Sequence, residues 1–140
     1  MNQLNFHKNN LTSNTPPQTL PVLEKSKTMY KTWMNIHRNM ERVARFGIGN
    51  KIDILFLRIL ELLRKSAYTP IAKKVILLEE VSDHIDSFRF FFQLLWETKL
   101  ISHKEYISFG TEIEGLGKIV GGWKKGLLNK TSTIKAEERR

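Results

Sequence analysis

Apolar residues recur along this chain in four stretches at helical spacing, separated by short breaks. In the first, from about Pro21 to Arg42, Leu23, Tyr30, Trp33, His37 and Met40 fall on one stripe, and Pro21 suits a first turn, where a missing N–H costs nothing. The run Arg45-Phe46-Gly47-Ile48-Gly49 interrupts the pattern, because glycine is a poor helix former. A second helix is predicted from about Ile48 to Ala67. Its stripe is Ile48, Ile52, Leu55, Ile59 and Leu62, with Ile54, Phe56, Leu57, Leu60 and Leu63 widening it. Tyr68-Thr69-Pro70 ends it, and Thr69 and Pro70 read as the N-cap and first residue of a third helix, about Pro70 to Thr98. That helix carries Ile71, Val75, Leu78, Ser82, Ile85, Phe88, Phe92 and Leu95 in register. Ser102 and Glu105 have capping-box spacing and open a fourth helix, about Ser102 to Leu128, whose stripe is Tyr106, Phe109, Ile113, Leu116, Val120 and Trp123. Its glycines, Gly110, Gly115, Gly117, Gly121, Gly122 and Gly126, point to close helix approach, a soft helix end or plain packing.

No period-2 alternation and no hairpin turn signal is present, so the fold class is all-α. Four helices joined by short connections predict an antiparallel up-down-up-down four-helix bundle over residues 20–128. Residues 1–19, rich in Asn, Gln, Thr, Ser and Pro, read as a disordered N-terminal arm, and residues 129–140 as a flexible charged tail.

The second and third helices carry more apolar surface than one core-facing stripe requires. Ile54, Leu57, Phe90, Phe91 and Trp96 cannot all enter a four-helix core, and together they predict an oligomer interface, the alternative being a broad core with some exposed aromatics.

Composition narrows the chemistry. Without cysteine there are no disulfides, thiolate metal ligands or thiol nucleophiles, and a reducing compartment is compatible. No stretch of about 18 apolar residues predicts a membrane span, and the N-terminus lacks a secretory apolar region, so no membrane association and a cytoplasmic location are expected. The formal net charge of +9 points to a polyanionic partner, RNA or DNA first, with acidic lipid or acidic protein as alternatives. Bundle topology places Lys25, Lys27, Arg64, Lys65, Lys73, Lys74, Lys124 and Lys125 at one pole, where Glu24 and Glu61 are the chief acids. A second basic cluster, Arg38, Arg42, Arg45 and Lys51, belongs to the opposite pole, while Glu79, Glu80, Asp83 and Asp86 make mid-helix 3 acidic. Any one of these cations alone reads as a solvated side chain; the cluster is the signal. Phosphate contacts of this kind give affinity without base specificity.

No phosphate-cradling glycine loop, His-Glu-x-x-His or Gly-x-Ser-x-Gly motif is present. The group Glu79, Glu80, Asp83, His84 and Asp86 lacks the paired Glu-x-x-His of a di-iron bundle and reads as an outward polar face. His7, His37 and His103 have no evident nucleophile to activate. The chain is therefore expected to be non-enzymatic, with no catalytic residue, metal or cofactor.

Several short motifs carry a family resemblance across about Leu20 to Leu128. They are Arg45-Phe46-Gly47-Ile48-Gly49-Asn50-Lys51-Ile52, Leu77-Leu78-Glu79-Glu80, Ile85-Asp86-Ser87-Phe88-Arg89, Lys99-Leu100-Ile101-Ser102-His103-Lys104-Glu105-Tyr106 and Gly121-Gly122-Trp123-Lys124-Lys125. In order and spacing the chain resembles the accessory variability (Avd) proteins of diversity-generating retroelements, which belong with the four-helix proteins encoded in 23S rRNA intervening sequences. The resemblance implies a ring- or barrel-like homopentamer of bundles that binds a reverse transcriptase and RNA or DNA and supports mutagenic cDNA synthesis and retrohoming, the polymerase supplying the chemistry. The alternatives are an intervening-sequence-type RNA-binding or scaffold protein without a polymerase partner, an interaction module for an acidic protein, and a nuclease.

Overall fold

The computed structural model describes residues 19–138. Five helices occur there: α1 (Thr19–Arg38), α2 (Arg42–Phe46), α3 (Ile48–Ser66), α4 (Ile71–Glu97) and α5 (His103–Glu138), with no strand among the described residues. The four long helices pack in the cyclic order α1, α3, α4, α5, and α5 returns to α1. Neighbours run antiparallel: Trp33 meets Asp53, Arg58 meets Glu80, and Arg89 meets Glu114. This is the four-helix bundle that the periodicity predicts.

One large aromatic ring from each long helix meets at the centre. Phe88 lies 6.0 Å from Trp33, 5.5 Å from Phe56 and 5.8 Å from Phe109, ring centre to ring centre. All four are fully buried. The Trp33 and Phe56 contacts with Phe88 are edge-on, the geometry that the ring quadrupole favours. Phe56, which the pattern treats as a flank of the second stripe, is thus a central core residue.

The ends of the helices follow local chemistry. Glu105 N–H donates to Ser102 Oγ (3.0 Å) and Ser102 N–H to Glu105 Oε1 (2.9 Å), so α5 opens on the capping box read from the sequence. Thr69 does not cap α4. Its hydroxyl donates back to the Lys65 carbonyl at 2.6 Å, and Pro70 takes the N-cap position with no side-chain hydrogen bond. The first helix ends at Arg38, before the expected Arg42, because Asn39 Nδ2 donates to the Asn35 carbonyl and Met40 N–H turns back to His37. The chain then re-forms a single turn, α2, so that Arg45 and Phe46 are helical and Gly47 alone separates α2 from α3.

Residues 129–138, expected as a flexible tail, continue α5 instead. Thr131 and Thr133 satisfy their hydroxyls on the carbonyls of Leu127 and Asn129 inside the helix, and no glycine or proline follows Gly126 to stop it. The arm expected over 1–19 lies, apart from Thr19 at the start of α1, outside the described residues.

A Schellman motif closes α4. Leu100 N–H reaches the Leu95 carbonyl (2.8 Å), Lys99 N–H reaches Trp96 (3.0 Å), and Lys99 sits at φ 62°. A lysine in the left-handed region costs about 1 kcal/mol that glycine avoids. Lys99→Gly is accordingly expected to raise stability by about 0.5–1 kcal/mol, read as a higher urea midpoint with unchanged slope.

Candidate nucleic-acid interface

The antiparallel arrangement gathers the start of α1, the end of α3, the start of α4 and the C-terminal half of α5 at one pole. Seven of the eight cations predicted for this pole lie at its surface. Lys27 is neutralised by Glu24 at 3.1 Å, and Lys65 by Glu61 at 3.5 Å, a carboxylate shared with Arg58. The two acids expected nearby are thus committed. Lys25, Arg64, Lys73, Lys124 and Lys125 form no ion pair among the described residues, and Lys130 of the extended α5 joins them. The cations without a partner among the described residues are the ones an external anion meets with no carboxylate to displace.

Lys74 departs from the expectation of a surface cation. It is 7 % exposed, and its ammonium stands 5.7 Å from the centre of the Trp123 ring. Its backbone N–H donates to the Pro70 carbonyl at 2.8 Å, but among the described residues its ammonium has no hydrogen bond and no ion pair. Burial, and then the charge of Lys130, push its ammonium below the ordinary lysine range. The signal was in the spacing: Lys74, Leu78, Val81, Ile85, Phe88, Phe92 and Leu95 recur every four and three residues, which is the buried face of α4. Reading Ile71 and Val75 as core, on either side of that line, put Lys74 outside; Ile71 is in fact exposed and Val75 half-buried.

Two concavities open at this pole. One is a groove of about 480 Å³ whose walls are Val22 of α1, Ile71 and Lys74 of α4, and Ile119, Gly122, Trp123, Gly126, Leu127 and Lys130 of α5. The other is a wider shelf of about 510 Å³ between α3 and α4, edged by Arg64, Lys65 and Lys73. The α5 glycines do not serve close helix approach as a group. A Cβ on Gly110, Gly121, Gly122 or Gly126 would meet nothing within 4 Å; on Gly117 it would reach ordinary contact with Ile85, and on Gly115 it would crowd the Lys25 ammonium at 3.3 Å.

At the opposite pole, Arg38, Arg42, Arg45 and Lys51 are brought together around α2. Arg45 is partly consumed there, donating to the Arg38 carbonyl at 3.4 Å and lying over Phe46. Of the interface candidates, Ile54, Leu57, Phe90 and Trp96 are exposed, Phe90 at 67 %, whereas Phe91 is half-buried against the core. Trp96 is also held inside the chain, stacked on Tyr106 at 4.6 Å. In the acidic middle of α4, Glu80 pairs with Arg58 and Asp86 with Arg89, and His84 is hydrogen-bonded to the Glu80 carbonyl. No group of three metal-binding side chains occurs among the described residues, nor is any described helix long and apolar enough to cross a membrane.

Sequence reasoning missed Asp53. This half-buried carboxylate of α3 accepts from Tyr30 Oη (2.7 Å) and Trp33 Nε1 (3.2 Å), tying α1 to α3. The pattern gave no warning, since one acid on a helix flank reads as solvated. No protein-family model matches this chain, and neither a curated protein nor a solved structure matches it.

Proposed function

We propose that this chain is a non-enzymatic accessory subunit of the Avd type, cytoplasmic and homopentameric, which binds RNA or DNA through its basic pole and joins a reverse transcriptase. The observation that carries the nucleic-acid part is the pole itself: Lys25, Arg64, Lys73, Lys124 and Lys125 have no counter-ion there among the described residues. The exposed Ile54, Leu57 and Phe90 on α3 and α4 support assembly. The polymerase partnership rests on the motif resemblance alone.

Light scattering of the purified protein, with and without a short RNA at low and high salt, tests this reading. A pentamer that takes up RNA at low salt and releases it at high salt is the expected result. Exchanging Lys73, Lys124 and Lys125 together for glutamate should weaken binding about a hundredfold or more and flatten its salt dependence. A monomer indifferent to RNA would defeat both the assembly and the basic-pole arguments. RNA binding without association to a co-expressed reverse transcriptase would favour the intervening-sequence type of role.

A further inference from the structure

The groove beside Lys74 combines features that a structural core does not need. Its floor is apolar, one wall is the Trp123 indole, and into it opens Lys74, a buried residue whose ammonium has no acceptor among the described residues. A buried charge is costly unless a counter-charge is supplied. The position makes the mismatch worse. Lys73 and Lys74 stand in the first turn of α4, where the helix dipole favours anions, and no acid is present in that turn. Lys130, on α5, adds a second positive charge at the same rim. Three cationic influences therefore converge on one concavity, and an anion seated there relieves all of them at once. The cation over Trp123 compensates only in part.

The rest of the groove says what the anion is attached to. Gly122 and Gly126 leave open space where side chains would stand, so a flat group can lie along α5 beside the indole. Lys124 and Lys125 lie on the same helix as Trp123, and Lys73 edges the neighbouring shelf, so further cations stand at this pole for a chain of phosphates. We infer that this groove holds one nucleotide of a single-stranded nucleic acid, its phosphate on the Lys74 ammonium and its base against Trp123. Aromatic platforms beside a basic track bind single strands in this manner, whereas a duplex keeps its base faces stacked inside. The inference rests on the nucleic-acid reading above and adds the site and the strandedness.

The test titrates the full-length protein with a short oligothymidylate, and with a duplex of equal length, following tryptophan fluorescence and salt dependence. A Trp96→Phe background removes the exposed indole at the opposite pole; Trp33 is fully buried and serves as a constant. The single strand is expected to quench Trp123 and to bind more tightly than the duplex. Lys74→Met should weaken single-strand binding about tenfold and reduce the salt slope by roughly 0.7, the share of one phosphate contact. The same variant should melt at a higher temperature at neutral pH, because it removes an uncompensated buried charge. That gain should shrink as pH rises toward 10.5, because the folded lysine loses its proton below that value. Gly126→Leu is the steric counterpart. It fills the groove without changing charge, at a place where a Cβ meets nothing within 4 Å, and should abolish the quenching.

If the wild-type protein binds the single strand while Lys74→Met and Gly126→Leu bind it equally well with the same slope, the groove assignment falls and the nucleic-acid reading stands. Equal quenching by the duplex overturns the base-stacking assignment. A wild-type protein that binds neither strand form overturns the nucleic-acid reading and the groove assignment together.

Discussion

An Asp53→Ala variant is expected to melt about 10 °C below the wild-type protein, from a loss of about 3 kcal/mol. Asp53 Oδ1 is the acceptor for both Tyr30 Oη and Trp33 Nε1. Truncation leaves two donors at the α1–α3 seam with no acceptor, and an unmet buried donor costs more than a made hydrogen bond gains. Asp53→Asn keeps a carbonyl oxygen in place and should lose only about 1 kcal/mol. Equal losses in the two variants would mean that the charge, and not the acceptor, holds the seam. The pair also has a pH signature. The Tyr30 hydroxyl is pushed up to about 12, first by burial and then by the hydrogen bond and charge of Asp53. A group whose folded value lies above its unfolded one contributes stability that is complete below pH 10 and is lost as pH climbs from 10 to 12. Thermal scans across that window should show a steeper decline for the wild type than for Tyr30→Phe.

Gly49→Ala is expected to destabilise the protein by about 2 kcal/mol, although alanine is the better helix former by roughly 1 kcal/mol. A methyl group at Gly49 would stand 2.9 Å from His37 Cδ2 and 3.0 Å from the Ala44 carbonyl oxygen. Neither neighbour can yield easily. The imidazole is stacked on Trp33 and hydrogen-bonded to the Arg45 carbonyl at 2.9 Å, and the Ala44 oxygen is backbone. The same substitution at Gly126 meets open space and should stabilise the helix instead. Chemical denaturation of the two variants side by side therefore reads opposite signs from one change of residue. A stabilised Gly49→Ala protein would mean that the α1–α3 approach is looser than these distances require.

Much of the architecture was legible because long helices carry their own period. The starts of α3, α4 and α5 were readable within a residue, from Ser102 and Glu105 in one case and Pro70 in another. The inner face of α1 was harder. It runs through Val22, Ser26, Met29, Trp33 and Ile36, with Met40 buried just past its end, and Ser26 looks polar until its hydroxyl is seen donating to the Val22 carbonyl at 2.8 Å. A stripe drawn through Leu23, Tyr30 and His37 follows the flank of that face. Gly49 was misread for a related reason. Glycine marks both helix breaks and close contacts, and only the position of His37 on another helix separates the two. Topology alone could gather the cations at a pole, but it could not find the one that turns inward. Lys74 occupies a core register, and a charged residue there is easily read as an interruption of the pattern.

Three seams of the bundle join long helices that follow one another along the chain, so each can zip from a short connection. The seam between α1 and α5 is different. It joins the two ends of the described segment and is the lightest of the four in packing. Contacts of long sequence separation form late, after the local hairpins have met the entropy of closure. The α1–α5 seam is therefore the last to close and the first to open when the molecule breathes. The groove beside Lys74 straddles that late-closing edge, with Val22 of α1 on one side and Trp123 of α5 on the other. Its width therefore depends on how firmly α1 and α5 are held together, at the seam with the least packing to hold it.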